Sequence, residues 1–160
     1  MYSLTIFKNT YDNKTHRTMQ FQSWDKFSLL LYELSQNKGV KVGYNSSYVL
    51  VDNPNDESNT LDRLRKQLFE QFGAYEYICY STASSTIKKP KFRLVFPLTK
   101  NVYSKDLSHF WFAMNKQFQE IGDEQTKDLA RMYYVPAVYP NAYNFYFRNS
   151  GVKIDPEMLM

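Results

Sequence analysis

The stretch YSTASSTIKKPKFRLVFPL, residues 80–98, decides how this chain reads as a fold. Its second half, KFRLVF (91–96), has a β-favouring composition, and the two-residue period of a strand separates Phe92, Leu94 and Phe96 from Lys91, Arg93 and Val95. One face is therefore expected in a core while the other offers cations. The first half carries STASST, small hydroxyl residues whose side chains and backbone N–H groups suit phosphate oxygens, followed by Lys88 and Lys89 in the connecting loop. Two readings stand at this point. The segment is either an ordinary hairpin with a solvated basic edge or a phosphate-binding face built into a sheet.

Upstream, YEYICYS (75–81) is also rich in strand formers, and before it Leu61, Leu64, Leu68 and Phe72 recur at helical spacing up to a stop at Gly73. SYVLVD (47–52) reads as a strand, followed by the turn-forming cluster VDNPNDESNT (51–60). Ser23 is a plausible N-cap for a helix marked by Trp24, Phe27, Leu30, Leu31 and Leu34, with its stop at Gly39. SLTIF (3–7) begins the chain as a strand or the first arm of a hairpin. Downstream, Leu107, Phe110, Trp111, Met114, Phe118 and Ile121 predict a third helix from near Ser104 to Gly122, and a short helical turn is expected over 126–132. Pro136 and Pro140 punctuate a loop, and YNFYFR (143–148) reads as a late strand before a turn at Gly151. Strands and helices are interspersed, so the expected architecture is α+β or α/β, a sheet with helices packed on it.

A chain of 160 residues suits a single domain, 1–160, able to bury a sizeable core without disulfides. With 20 Lys and Arg against 16 Asp and Glu, the net charge of +4 tolerates an anionic partner without establishing one. The aromatic content of 18% includes 14 Tyr and 12 Phe, which serve a core and strands or offer stacking faces to bases. A single cysteine, Cys79, excludes an intrachain disulfide and a paired-cysteine zinc site, and fits a reducing cytoplasm. Nowhere do about 18 apolar residues run consecutively, so no membrane partner is expected. In GDEQTKDLARMYYVP (122–136), acidic residues stand near Arg131. Such a pair can serve a metal–triphosphate substrate, or it can be a helix-capping acid with a surface ion pair.

The order YST-x-S, then P-x-FR followed by a hydrophobic run and PL, then a helix, then D, LAR and Y-x-P, resembles the archaeo-eukaryotic primase superfamily. Within it, the chain is most similar to primase-polymerase-like domains of phage, plasmid and mobile-element replication proteins. The resemblance spans nearly the whole chain and implies a primase-type module whose mainly antiparallel sheet carries a nucleotide site. It also implies that Asp52 and Asp123 are catalytic metal ligands for Mg²⁺ or Mn²⁺, and that Ser84, Ser85, Lys91, Arg93 and Arg131 face nucleotide phosphates. Two positions depart from the family's pattern. Pro54 stands where a second acid is expected, with Asp56 as a substitute ligand, and Ser85 stands where a histidine is expected. His16 and His109 lie elsewhere, and His109 is expected to be structural.

The resulting expectation is a replication protein that engages DNA and nucleoside triphosphates, with a helicase or another replication protein as a further partner and with catalysis weak or lost. The alternatives are a non-catalytic DNA-binding or recruitment module, and a small protein acting on a host factor through a Tyr-rich surface.

Overall fold

The computed structural model describes residues 2–7, 16–36, 47–48, 57–117 and 135–159. Its organising element is β4 (Tyr77–Ser81), in which every residue is buried. β5 (Lys91–Val95) flanks β4 on one side and β6 (Tyr146–Asn149) on the other, both antiparallel, while β3 (Ser47–Tyr48) pairs with the far side of β5. The sheet order is β3-β5-β4-β6. Tyr80 lies opposite Arg93 on β5 and Tyr146 on β6, and Cys79 lies opposite Leu94 and Phe147.

Alternation sends successive β4 side chains into two different cores. Tyr77 and Cys79 join Phe92 and Phe147 beneath α2 (Glu57–Phe72), which contributes Leu64, Leu68 and Phe72, while Met114 of α3 (Leu107–Gln117) packs against the same cluster. Ile78 and Tyr80 face α1 (Trp24–Ser35), where Trp24 and Leu31 are buried with Phe27, Leu34, Val95 and Tyr146 around them. The result is an α+β arrangement with helices on both faces of an antiparallel sheet. β4 reads as an almost continuous buried run because neither of its faces meets water.

Local signals set the helix ends. Ser23 caps α1, its Oγ accepting from the Lys26 N–H at 3.2 Å, and α2 ends at Phe72 immediately before Gly73, as the spacing predicts. Residues 104–106 form one 3₁₀ turn that leads into α3. The opening segment is a hairpin: β1 (Tyr2–Phe7) pairs antiparallel with β2 (His16–Phe21), and Tyr2 packs against Trp24 and Phe27 of α1. A short C-terminal helix, α4 (Pro156–Leu159), has no counterpart in the sequence reading. Late in the chain, Asn141 adopts φ 58°, and the Asn144 carboxamide closes the turn by accepting from Tyr139 N and donating to Tyr139 O, both at 3.0 Å. Gly151 lets the chain pass against the backbone of Ala74 and Tyr75, where an added Cβ would lie 2.6 Å from the Tyr75 carbonyl carbon.

The second face of β5 is less open than alternation alone suggests. Phe92, Leu94 and Phe96 do pack on the α2 side, but Val95 joins the α1 cluster, so α1 closes part of the face that carries Lys91 and Arg93. Periodicity within one strand cannot report a helix contributed from elsewhere. The expected stop at Gly39, the continuation of the third helix to Gly122 and the turn over 126–132 fall outside the described residues. Among the described residues, no helix is long and apolar enough to cross a membrane.

Candidate nucleic-acid interface

The hydroxyl-rich connection between β4 and β5 is held by its own side chains. Ser81 Oγ accepts from Phe145 N at 2.8 Å, fastening the end of β4 to the chain entering β6. Thr82 N donates to Lys91 O at 3.0 Å, and Ser85 N donates back to Thr82 O at 3.1 Å, closing a turn over 82–85. Ser85 is fully buried; its Oγ accepts from Lys91 N at 3.2 Å and its carbonyl accepts from Tyr143 N at 2.8 Å. Thr86 clasps the tip, its Oγ1 accepting from Lys89 N at 3.0 Å. These residues favour turns because a short hydroxyl side chain reaches backbone groups that no ladder serves. Ser84 differs: its Oγ is enclosed and has no hydrogen-bond partner among the described residues.

The framework presents cations at this end of the sheet. Lys88 and Lys89 are exposed, and Lys91 and Arg93 are half-buried along β5. The Arg93 guanidinium carbon lies 5.9 Å from the centre of the Tyr80 ring, and its Nη1 approaches the Tyr80 hydroxyl at 3.5 Å. Tyr80 is in turn directly across from Tyr146, whose ring meets Tyr32 of α1 at 5.4 Å edge-on. A row Arg93–Tyr80–Tyr146 therefore crosses three strands on the α1 face. The Tyr146 hydroxyl donates to Ser28 O at 3.0 Å, and burial raises its pKa against the opposing influence of Arg148. Tyr80 and Tyr146 did not figure among the sequence-derived site residues, because only the strand register brings them beside Arg93.

Of the candidate residues, Ser84, Ser85, Lys91 and Arg93 come together at the hairpin. Asp52, Asp56, Asp123 and Arg131 lie outside the described residues. Among the described residues no three His, Cys, Asp or Glu side chains gather into a metal site. His109 is exposed on α3.

No protein-family model, curated protein or solved structure matches this chain. The chemistry available at the hairpin is then that of its own side chains: ammonium and guanidinium groups on a rigid edge, backed by aromatic rings. Such a surface neutralises phosphate charge and has no built-in means of reading base identity.

Proposed function

We propose that the protein is a DNA-binding replication module of the primase-polymerase type, belonging to a phage, plasmid or other mobile element and working in the cytoplasm, with nucleotidyl transfer weak or lost. The observation that supports this reading is the concentration of Lys88, Lys89, Lys91 and Arg93 on one hydroxyl-locked hairpin at one end of an antiparallel sheet. A rigid edge loses little conformational entropy when it meets a polyanion, and each phosphate it neutralises releases counterions. Ser85 contributes by holding the Lys91 amide, and through it the start of β5. In this reading Asp52 and Asp123 are the metal-binding carboxylates, with Asp56 as a further ligand and Arg131 on the phosphates. Mg²⁺ or Mn²⁺ bound there would supply charge neutralisation at the transferring phosphate.

The test is DNA affinity as a function of salt. Binding should weaken steeply as salt rises, and Lys91→Ala with Arg93→Ala should lower affinity and flatten the dependence of log K on log salt by up to about two phosphate contacts. A double variant that binds DNA as the parent does at every salt concentration would remove the hairpin from the interface.

A further inference from the structure

A groove of about 360 Å³ lies between α2 and the β6 side of the sheet. Arg65, Lys66 and Phe69 line it from α2, and Tyr77, Phe147 and Asn149 line it from the sheet. Arg148 also borders it, but its guanidinium is held by Glu76, Asp25 and Ser28. Tyr77 and Ser81 stand at opposite ends of β4, so the groove is remote from the hairpin along the strand.

The groove's cations are available. Arg65 and Lys66 are exposed, and neither forms an ion pair among the described residues, although Asp62 and Glu70 lie one helical turn from Lys66. Arg65 rests with its guanidinium carbon 4.8 Å from the centre of the Phe147 ring, which fixes the side chain while leaving its N–H groups free for an anion. Phe69 is 62% exposed and lies off the stripe of Leu61, Leu64, Leu68 and Phe72 that α2 turns toward the sheet. Tyr77, only 1% exposed as a residue, forms part of the groove wall. Burial, with a smaller push from Cys79 and against Arg65, raises its pKa to about 12, so the hydroxyl keeps its proton and can donate. Two cations without an ion pair among the described residues, a hydroxyl-bearing ring in the groove wall and an exposed ring suit a ligand that is anionic at one end and flat at the other.

We propose that this groove binds one nucleotide unit, its phosphate taken by Arg65 and Lys66, its base laid on Phe69, and the Tyr77 hydroxyl donating to it. The unit comes either from a free nucleotide or from a single strand of DNA, since both present the same phosphate and base. The site is independent of the basic hairpin and stands or falls separately.

The full chain is titrated with 2′-deoxyadenosine 5′-monophosphate and, separately, with a short oligothymidylate, following heat or fluorescence. Lys66→Ala with Phe69→Ala alters only exposed side chains and should leave the circular dichroism and melting curve unchanged. It should weaken binding roughly tenfold or more through the lost stacking and charge. Tyr77→Phe should weaken it several-fold, and Lys91→Ala with Arg93→Ala should leave mononucleotide affinity intact. Loss for both ligands supports a site open to free nucleotides, and loss for the oligonucleotide alone supports a strand-borne unit. The inference is overturned if neither ligand binds the parent protein, if the α2 variant binds both as tightly as the parent does, or if the hairpin variant abolishes mononucleotide binding.

Discussion

Ser84 and Ser85 are neighbours with the same side chain in opposite circumstances. Ser85 Oγ replaces water on the Lys91 N–H, whereas Ser84 Oγ is enclosed with no hydrogen-bond partner among the described residues. Removing one partner of a buried hydrogen bond leaves the other group desolvated, while removing a hydroxyl that was never satisfied relieves a cost. Ser85→Ala should therefore lower stability by about 2 kcal/mol, and Ser84→Ala should be neutral or slightly stabilising. Urea unfolding of the two variants decides it, and equal losses would show that the two hydroxyls are not distinguished in this way. The sequence places both serines in one phosphate-facing group, since the backbone that encloses Ser85 comes from Tyr143, far along the chain. Composition reveals that hydroxyls are present; it does not reveal which backbone groups will need them.

At the level of elements, α1 is fastened to the sheet through Arg148 of β6. Its Nη2 lies 2.7 Å from Asp25, its Nε 3.0 Å from Glu76 and its Nη1 3.0 Å from Ser28 Oγ, so one guanidinium joins two residues of α1 to the residue immediately before β4. Asp25 is largely solvated and adds little. Glu76 is 9% exposed, so losing Arg148 would leave a carboxylate enclosed without its counter-charge. Arg148→Ala should thus destabilise the protein by about 3 kcal/mol, and adding Glu76→Gln should recover part of the loss. Denaturant midpoints of the single and double variants test this, and a loss under about 0.5 kcal/mol for the single change would mark the network as a surface feature. The helices and most strands were legible because their signals are local: Ser23, the leucine stripe of α2 and the alternation in β5 need no distant partner. The closure of one β5 face by α1 was not legible, because it depends on which helix crosses which face. The groove beside α2 escaped notice for a related reason. Phe69 breaks an apolar stripe between charged residues, which hints at exposure, but its companions Tyr77 and Phe147 arrive only through tertiary packing.

For the molecule as a whole, the functional proposal divides binding from catalysis. In that proposal the cations that meet DNA sit on the β4–β5 hairpin, whereas the metal site lacks ligands, with Pro54 where the proposed primase-type pattern has an acid and Ser85 where it has a histidine. A missing carboxylate ligand and a missing phosphate donor could each raise the barrier by about 3 kcal/mol, so primer synthesis on the order of 10⁴-fold below an intact active site is expected. Incorporation of labelled nucleotide on primed and unprimed templates, with Mg²⁺ and then Mn²⁺, measures this. Robust extension that vanishes in Asp123→Ala would refute the expectation and direct attention to Asp56 as the compensating ligand.

The burial of β4 on both faces also gives the protein an internal clock. Cys79 is the chain's sole cysteine, has no exposed surface, and burial holds its thiol well above the ordinary range, so thiolate is scarce while the core stays closed. A disulfide reagent such as Ellman's can then react only with molecules whose two helical layers have parted from the central strand. The labelling rate in native buffer should follow the population of that opened state, rising with urea in parallel with global unfolding. Rapid, urea-independent labelling would mean that the layers separate without the molecule unfolding. Variants of Arg148 and Ser85 should speed this reaction in proportion to the stability each removes, which makes a single native sulfur a reporter for the whole fold.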